Sequence, residues 1–245
     1  VIAFAALNGR TQAATTPRAP EVVLANYERA LAKLKYPSNV SFEYSVEQLG
    51  LRTMEQTHRV YRSGLKERDE TLVVDGYHLR APSVRIIASR TNRYEIGRVA
   101  PRVSDYVFSY VGPVNESDSY GYVFTTQARA DTSYAITEIE IDGRSFLPRS
   151  LRFKIAGPGA HGSGELHYDQ VEKYWLVVSA AVSAHLAHGE IAHETMEWSN
   201  YHFPDSLPLS TFDSPGAPAP VPEPTSAVTT SAPLTPEGAA PPTVP

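Results

Sequence analysis

The chain has no cysteine. This removes disulfides, thiolate nucleophiles and thiolate metal ligands, and leaves no cysteine in these residues to carry a lipid. It does not choose a compartment, because cytosolic and bacterial secreted chains both do without cysteine. An excess of positive charge is also missing. Lysine and arginine total 22 against 27 acidic residues, a net charge of −5, which argues against a nucleic-acid partner. No apolar run after the first residues approaches the length of a membrane-spanning helix. Alternating βα units are absent too, which argues against a doubly wound fold.

What is present divides the chain into three. Val1-Ile-Ala-Phe-Ala-Ala-Leu7 is a short apolar run, and Asn8-Gly-Arg-Thr-Gln-Ala-Ala14 ends in small residues. Residues 1–19 therefore read as the end of a signal peptide, cleaved near Ala13 or Ala14, and a loose start. Residues 20–213 carry periodic patterns and form the expected domain. From Ser214 the composition turns to Pro, Ala, Thr, Ser and Val, and half of the 20 prolines lie there. Residues 214–245 are expected to be a disordered, partly polyproline tail, since they cannot bury enough apolar surface to offset ordering entropy.

Within the domain, Val23, Tyr27, Ala30, Leu31 and Leu34 recur at helical spacing. Pro20 suits a first helical turn and Pro37 stops the helix, so a helix is expected over 20–35. The period then changes to two. Val40, Phe42, Tyr44 and Val46 alternate with Ser41, Glu43, Ser45 and Glu47, the pattern of a half-buried strand. The same alternation returns at Tyr120–Phe124, Thr137–Ile141 and Ser150–Ile155. Glycine-containing pairs such as Asp75-Gly76, Asp142-Gly143 and His188-Gly189 mark turns. Trp175–Ala187, rich in Ala and Ser, is open to a helix reading, but its Trp-Leu-Val-Val opening favours a strand. Together these predict a mainly β fold of the α+β kind, with antiparallel strands curled around one N-terminal helix.

Motifs with chemical content are weak. Gly157-Pro-Gly-Ala-His-Gly162 fits G-x-G-x-x-G, but a strand pattern follows where a dinucleotide site needs a helix. His193-Glu-Thr-Met-Glu197 lacks the second histidine of a zinc-protease helix and lies in a strand pattern, which sends His193 and Glu194 to opposite faces. His185, His188, His193 and His202 surround one turn. A two-residue turn there sets His185 opposite Ala192, away from His193, so no metal set converges. Glu138 and Glu140 read as a solvated strand face. No nucleophile elbow is present, and neither catalysis nor a cofactor is expected.

The strongest positive feature is aromatic supply, with 14 tyrosines and 8 phenylalanines. Tyr106, Phe108 and Tyr110 share one face of a strand, and Val103, Val107 and Val111 make the other apolar. Such a strand is expected to be covered on both sides or to line a cavity. A curved sheet around a helix leaves room for an apolar ligand site. The candidate lining residues are Phe42, Tyr44, Tyr106, Phe108, Tyr110, Tyr122, Phe124, Phe153 and Trp198; ordinary core packing is the alternative for each.

The order of elements resembles the LolA-like superfamily, which includes periplasmic lipoprotein carriers and lipid-binding lipoproteins. The resemblance lies in Tyr27-Glu-Arg-Ala-Leu-Ala-Lys-Leu34 running into Val40-Ser-Phe-Glu-Tyr44, in Arg59-Val-Tyr-Arg-Ser-Gly64, in Leu72-Val-Val-Asp-Gly76, and in the closing Trp198–Phe212. It implies an incomplete antiparallel β-barrel plugged by helices, whose hollow takes acyl chains without catalysis. Carriers of the family have an Arg-Pro pair whose arginine holds the lid. Arg62 is the matching residue, followed here by Ser63, and Tyr77-His78-Leu79 stands where carriers have a Trp after Asp-Gly. The implied partner is a lipid or lipoprotein acyl chain, or, with the same fold used as a sensor, a protein partner. A membrane is a further possible partner. An exported monomer is expected, in the periplasm or at the bacterial cell surface.

Overall fold

The computed structural model describes residues 18–213, apart from 51–52, 91–93, 117–118, 157–159, 187–188 and 190. The expected signal-peptide remnant up to residue 17 and the proline-rich tail lie outside the described residues. Helix α1 spans Pro20–Ala32, and Pro20 stands in its first turn. Its C-terminal cap is Lys33, whose N–H donates to the Ala30 carbonyl, while the Leu34 N–H donates to that of Leu31. Val23, Tyr27 and Leu31, spaced by four, are its buried side chains.

Strands then follow as β1 (Asn39–Leu49), β2 (Met54–Ser63), β3 (Lys66–Val74) and β4 (Tyr77–Ile87). A crossing segment with the short helix α2 (Ile96–Val99) leads to β5 (Tyr106–Glu116), β6 (Ser119–Ala128), β7 (Tyr134–Asp142) and β8 (Pro148–Ala156). The last strands are β9 (Ala160–Val171), β10 (Tyr174–Leu186) and β11 (Ile191–His202). The 174–186 stretch is therefore a strand, with β-branched and aromatic residues at its start outweighing its alanines. A 3₁₀ turn, Leu209–Phe212, ends the described chain.

These strands form one antiparallel sheet in the order β4-β3-β2-β1-β11-β10-β9-β8-β7-β6-β5. The chain builds outward to the edge β4, crosses to the opposite edge β5, and works back until β11 pairs with β1. The sheet does not close: β4 and β5 remain edges. Asp75 and Gly76 both have positive φ, 49° and 77°, which makes the two-residue turn between β3 and β4 compatible with strand twist. At Gly164 a Cβ would lie 2.4 Å from Cζ of Phe153 and 2.6 Å from the Ala181 carbonyl oxygen, so only glycine lets Phe153 pack there.

The concave face holds two apolar clusters. In the larger, α1 packs Val23, Tyr27 and Leu31 on Tyr122, Phe124, Ile139, Leu151, Phe153 and their neighbours. The smaller gathers Val40, Phe42, Tyr44, Val46, Val60, Met196 and Trp198. Tyr94 of the crossing segment and Val177 of β10 touch both. The crossing segment is fastened by separate hydrogen bonds. Tyr27 Oη donates to the Pro101 carbonyl at 2.6 Å, and the Gly97 N–H donates to Tyr36 Oη at 2.9 Å.

Two expectations change. The outer side chains of β5 are not covered: Val107 and Val111 are exposed, as is Val103 in the turn before the strand. The β10–β11 connection is longer than a two-residue turn. His185 stands opposite Ile191, and Ser183 opposite His193.

The charged run Lys66-Glu-Arg-Asp-Glu70 is mostly buried, because its partners arrive from neighbouring strands. On the concave side Asp69 receives His58 Nδ1 at 2.8 Å and Arg85 Nη2 at 2.7 Å. Burial alone would raise the Asp69 carboxyl, but the hydrogen bonds and charges of His58 and Arg85 bring it below the usual range. Its contribution to stability is present above the unfolded carboxylate pKa, about 3.9, and is lost as pH falls through the lower folded value. In urea unfolding, the Asp69→Asn variant is expected to lose less stability than the parent between about pH 6 and about pH 2. An equal loss in the two proteins would show that Asp69 is not the carboxylate responsible.

Candidate functional site

A cavity of about 70 Å³ lies where the crossing segment meets the concave face. Alternation along β1 sends Val40 and Phe42 into it. Arg62 enters from β2, Trp175, Leu176 and Val177 from β10, and Trp198 and Tyr201 from β11. Tyr36 and Pro37, just beyond α1, and Arg90, Tyr94, Glu95 and Ile96 of the crossing segment complete the wall.

The wall is mainly aromatic and its rings are packed on one another. The Trp198 ring stands 6.1 Å from Tyr44 and 6.0 Å, edge-on, from Tyr94. Phe42 lies 5.3 Å from Tyr201, and the Arg62 guanidinium sits 4.8 Å above the Phe42 ring. Tyr201 Oη donates to the Val177 carbonyl at 2.9 Å. Burial holds the Tyr201 phenol far above its ordinary pKa, against the opposing charge of Arg62, so it remains a donor. The Tyr36 phenol is raised as well, by burial first and by the Glu95 charge, with the Gly97 hydrogen bond and Arg102 opposing.

The polar part of the wall is built from β2, β3 and the crossing segment. Arg62 Nε donates to Glu67 Oε2 at 2.6 Å, and Glu67 is fully buried behind it. The other Glu67 oxygen has no hydrogen-bond partner. The Arg90 N–H donates to the Leu65 carbonyl at 2.9 Å, its Nε donates to the Gly64 carbonyl at 3.3 Å, and its Nη2 is 3.5 Å from Glu95 Oε1.

Of the residues singled out from the sequence, Phe42, Arg62 and Trp198 come together at this cavity. Tyr44 belongs to the same cluster one residue pair further along β1, stacked on His58 with ring centroids 4.4 Å apart. Tyr122, Phe124 and Phe153 are buried in the other cluster, beneath α1, with Tyr106 and Phe108 packed against it. Tyr110 is partly exposed on β5, its ring 5.2 Å from Phe124. Tyr36, Arg90, Tyr94, Trp175 and Tyr201 were not anticipated. Only cationic or aromatic character could have signalled Arg90 and Tyr94, since the 88–105 stretch has no clear period.

The aromatic and aliphatic wall offers surface for an apolar group. Among the described residues, Ser183 Oγ lies 2.7 Å from His193 Nδ1, but the pair is solvent-exposed and shares no residue with the cavity. Among the described residues no group of three or more His, Asp or Glu is placed to hold a metal ion.

No family model matches the sequence, and a search of curated proteins finds no match. Solved structures do match. The chain is similar to LolA superfamily proteins. One is the LolA superfamily protein NE2245 from Nitrosomonas europaea, at 12% identity over 78% of this chain and 97% of that one, with a TM-score of 0.38. Another is a putative outer membrane lipoprotein-sorting protein domain from Vibrio parahaemolyticus, at 14% identity over 79% and 97%, TM-score 0.43. A third is a DUF1329 family protein from Desulfovibrio piger, at 12% identity over 78% and 97%, TM-score 0.41.

Proposed function

We propose that this domain is a non-catalytic, exported carrier that holds the acyl chain of a lipid or lipoprotein between the crossing segment and the concave face. The observation that supports it is the aromatic cavity at that junction, walled by Val40, Phe42, Ile96, Val177, Trp198 and Tyr201. Affinity would come from removing methylenes from water, at about 0.8 kcal/mol each. At about 70 Å³ the cavity is smaller than the roughly 300–1,000 Å³ of ligand pockets, so it must widen to admit a whole chain.

The test is native mass spectrometry of the gently purified protein, together with titration of a fluorescent fatty-acid probe. A co-purified acyl species is expected, and Val177→Trp, which fills the cavity, should weaken the probe by about tenfold or more. No bound lipid and an unchanged titration would sink the reading.

A second reading is an interaction domain that binds a protein partner. It is favoured by the uncovered apolar side chains Val107 and Val111 of β5, with Val103 in the turn before it.

A further inference from the structure

We propose that Tyr201 makes this cavity selective for unbranched acyl chains, and that a β-bulge at Asn200 aims it there. The inference rests on the carrier reading and narrows the class of chain it would take.

Strict alternation along β11 would not bring Tyr201 to the cavity. Met196 and Trp198 are buried on the concave side, while Glu197 and Ser199 are exposed, so the next concave place falls to residue 200. The register breaks there. Ser199 pairs with Glu43 and His202 with Ser41, so Asn200 and Tyr201 together oppose Phe42. Asn200 takes the extra place. Its φ is 54°, a left-handed value that asparagine tolerates and a β-branched residue avoids. Its Nδ2 donates to Glu43 Oε2 at 2.8 Å. Tyr201 is thereby turned inward, its ring 5.3 Å from Phe42 and its Oη on the Val177 carbonyl. Strand β10 repeats the device. Val177 pairs with Tyr168 and Ser179 with His167, which leaves Val178 as the extra residue and sets Trp175 and Val177 on the same side as Ala180. Bulges on two neighbouring strands therefore supply Trp175, Val177 and Tyr201 to the wall. With Tyr201 closing the space beside Phe42, a cavity of about 70 Å³ leaves little room for a side branch. One methylene too many in an apolar pocket costs about tenfold or more in discrimination.

The experiment first asks where residue 201 points. The chain has no cysteine, so Tyr201→Cys is a single reporter for a thiol reagent. It should label slowly, and about tenfold or more faster when combined with Asn200→Val, because valine avoids positive φ and takes the concave place itself. Asn200→Gly keeps the positive φ and should leave labelling slow. Should Asn200→Val not fold, Asn200→Ala, which also resists that φ, takes its place. The second measurement is displacement of a fluorescent fatty-acid probe from the full chain by hexadecanoate and by phytanate, the same chain with methyl branches along it. The parent and Asn200→Gly should prefer hexadecanoate by about tenfold or more. Tyr201→Ala and Asn200→Val should bring the ratio of the two affinities near one, a change that lost stability alone would not produce. A ratio that survives Tyr201→Ala, or an Asn200→Val variant whose labelling and ratio match the parent's, overturns the proposal and leaves the carrier reading standing. Binding of neither chain by the parent overturns the carrier reading, and the selectivity with it.

Discussion

Replacing Trp198 by alanine is expected to destabilise the domain by about 3–5 kcal/mol, the range for truncating a buried aromatic. The indole is 2% exposed and ties together rings from three parts of the chain, Tyr44 on β1, Tyr94 on the crossing segment and its own strand β11. Its removal also enlarges the cavity at the wall shared by Phe42 and Tyr201. The loss would be a large share of the 5–15 kcal/mol typical of a folded domain. Urea unfolding gives the loss as a shift in midpoint at unchanged slope. A loss below about 1 kcal/mol would mean that the indole is not packed as core. If the carrier reading holds, the variant accepts bulkier chains, so branched fatty-acid probes should gain affinity relative to linear ones.

Truncating Arg68 to alanine is expected to cost about as much, roughly 3–5 kcal/mol, through a different mechanism. Arg68 is 2% exposed, donates from Nε to Glu70 at 2.7 Å, and reaches the Thr211 carbonyl at 3.2 Å from Nη1. Without it, Glu70 is left as a buried charge that has lost its ion-pair partner, and the 3₁₀ turn Leu209–Phe212 loses an anchor on the outer face. The paired replacement Arg68→Met with Glu70→Leu removes both charges and is expected to recover most of the loss. A paired variant as unstable as Arg68→Ala would show that volume or the Thr211 bond, and not the stranded carboxylate, sets the cost.

Much of the local structure was legible because it depends on near neighbours. The spacing of Val23, Tyr27 and Leu31 marked the buried stripe of α1, and the alternation from Val40 to Val46 marked the buried face of β1. Asp75-Gly76 marked a turn because the pair tolerates positive φ. The burial of the Glu67–Glu70 run depends instead on distant partners. Its four charges are buried by His58, Arg62 and Arg85 from adjacent strands and by the C-terminal turn. Valines 107 and 111 mislead. Their pattern asks for a cover, yet both side chains stand exposed on the outer face.

Composition and period by themselves determined that this is a mainly β chain with one leading helix, without cysteine chemistry, and supplied with aromatics along alternating faces. Only the tertiary structure decided which aromatics meet. Tyr122, Phe124 and Phe153 fall under α1, because β6 and β8 lie on the half of the sheet that the helix covers. Phe42 and Trp198 fall at the cavity, because β11 returns to pair with β1 and the crossing segment bridges the two edges. Side-chain alternation is set within a few residues along one strand. Strand order depends on pairings as distant as Ser41 with His202, and on that order rests whether a buried ring packs in the core or lines the cavity.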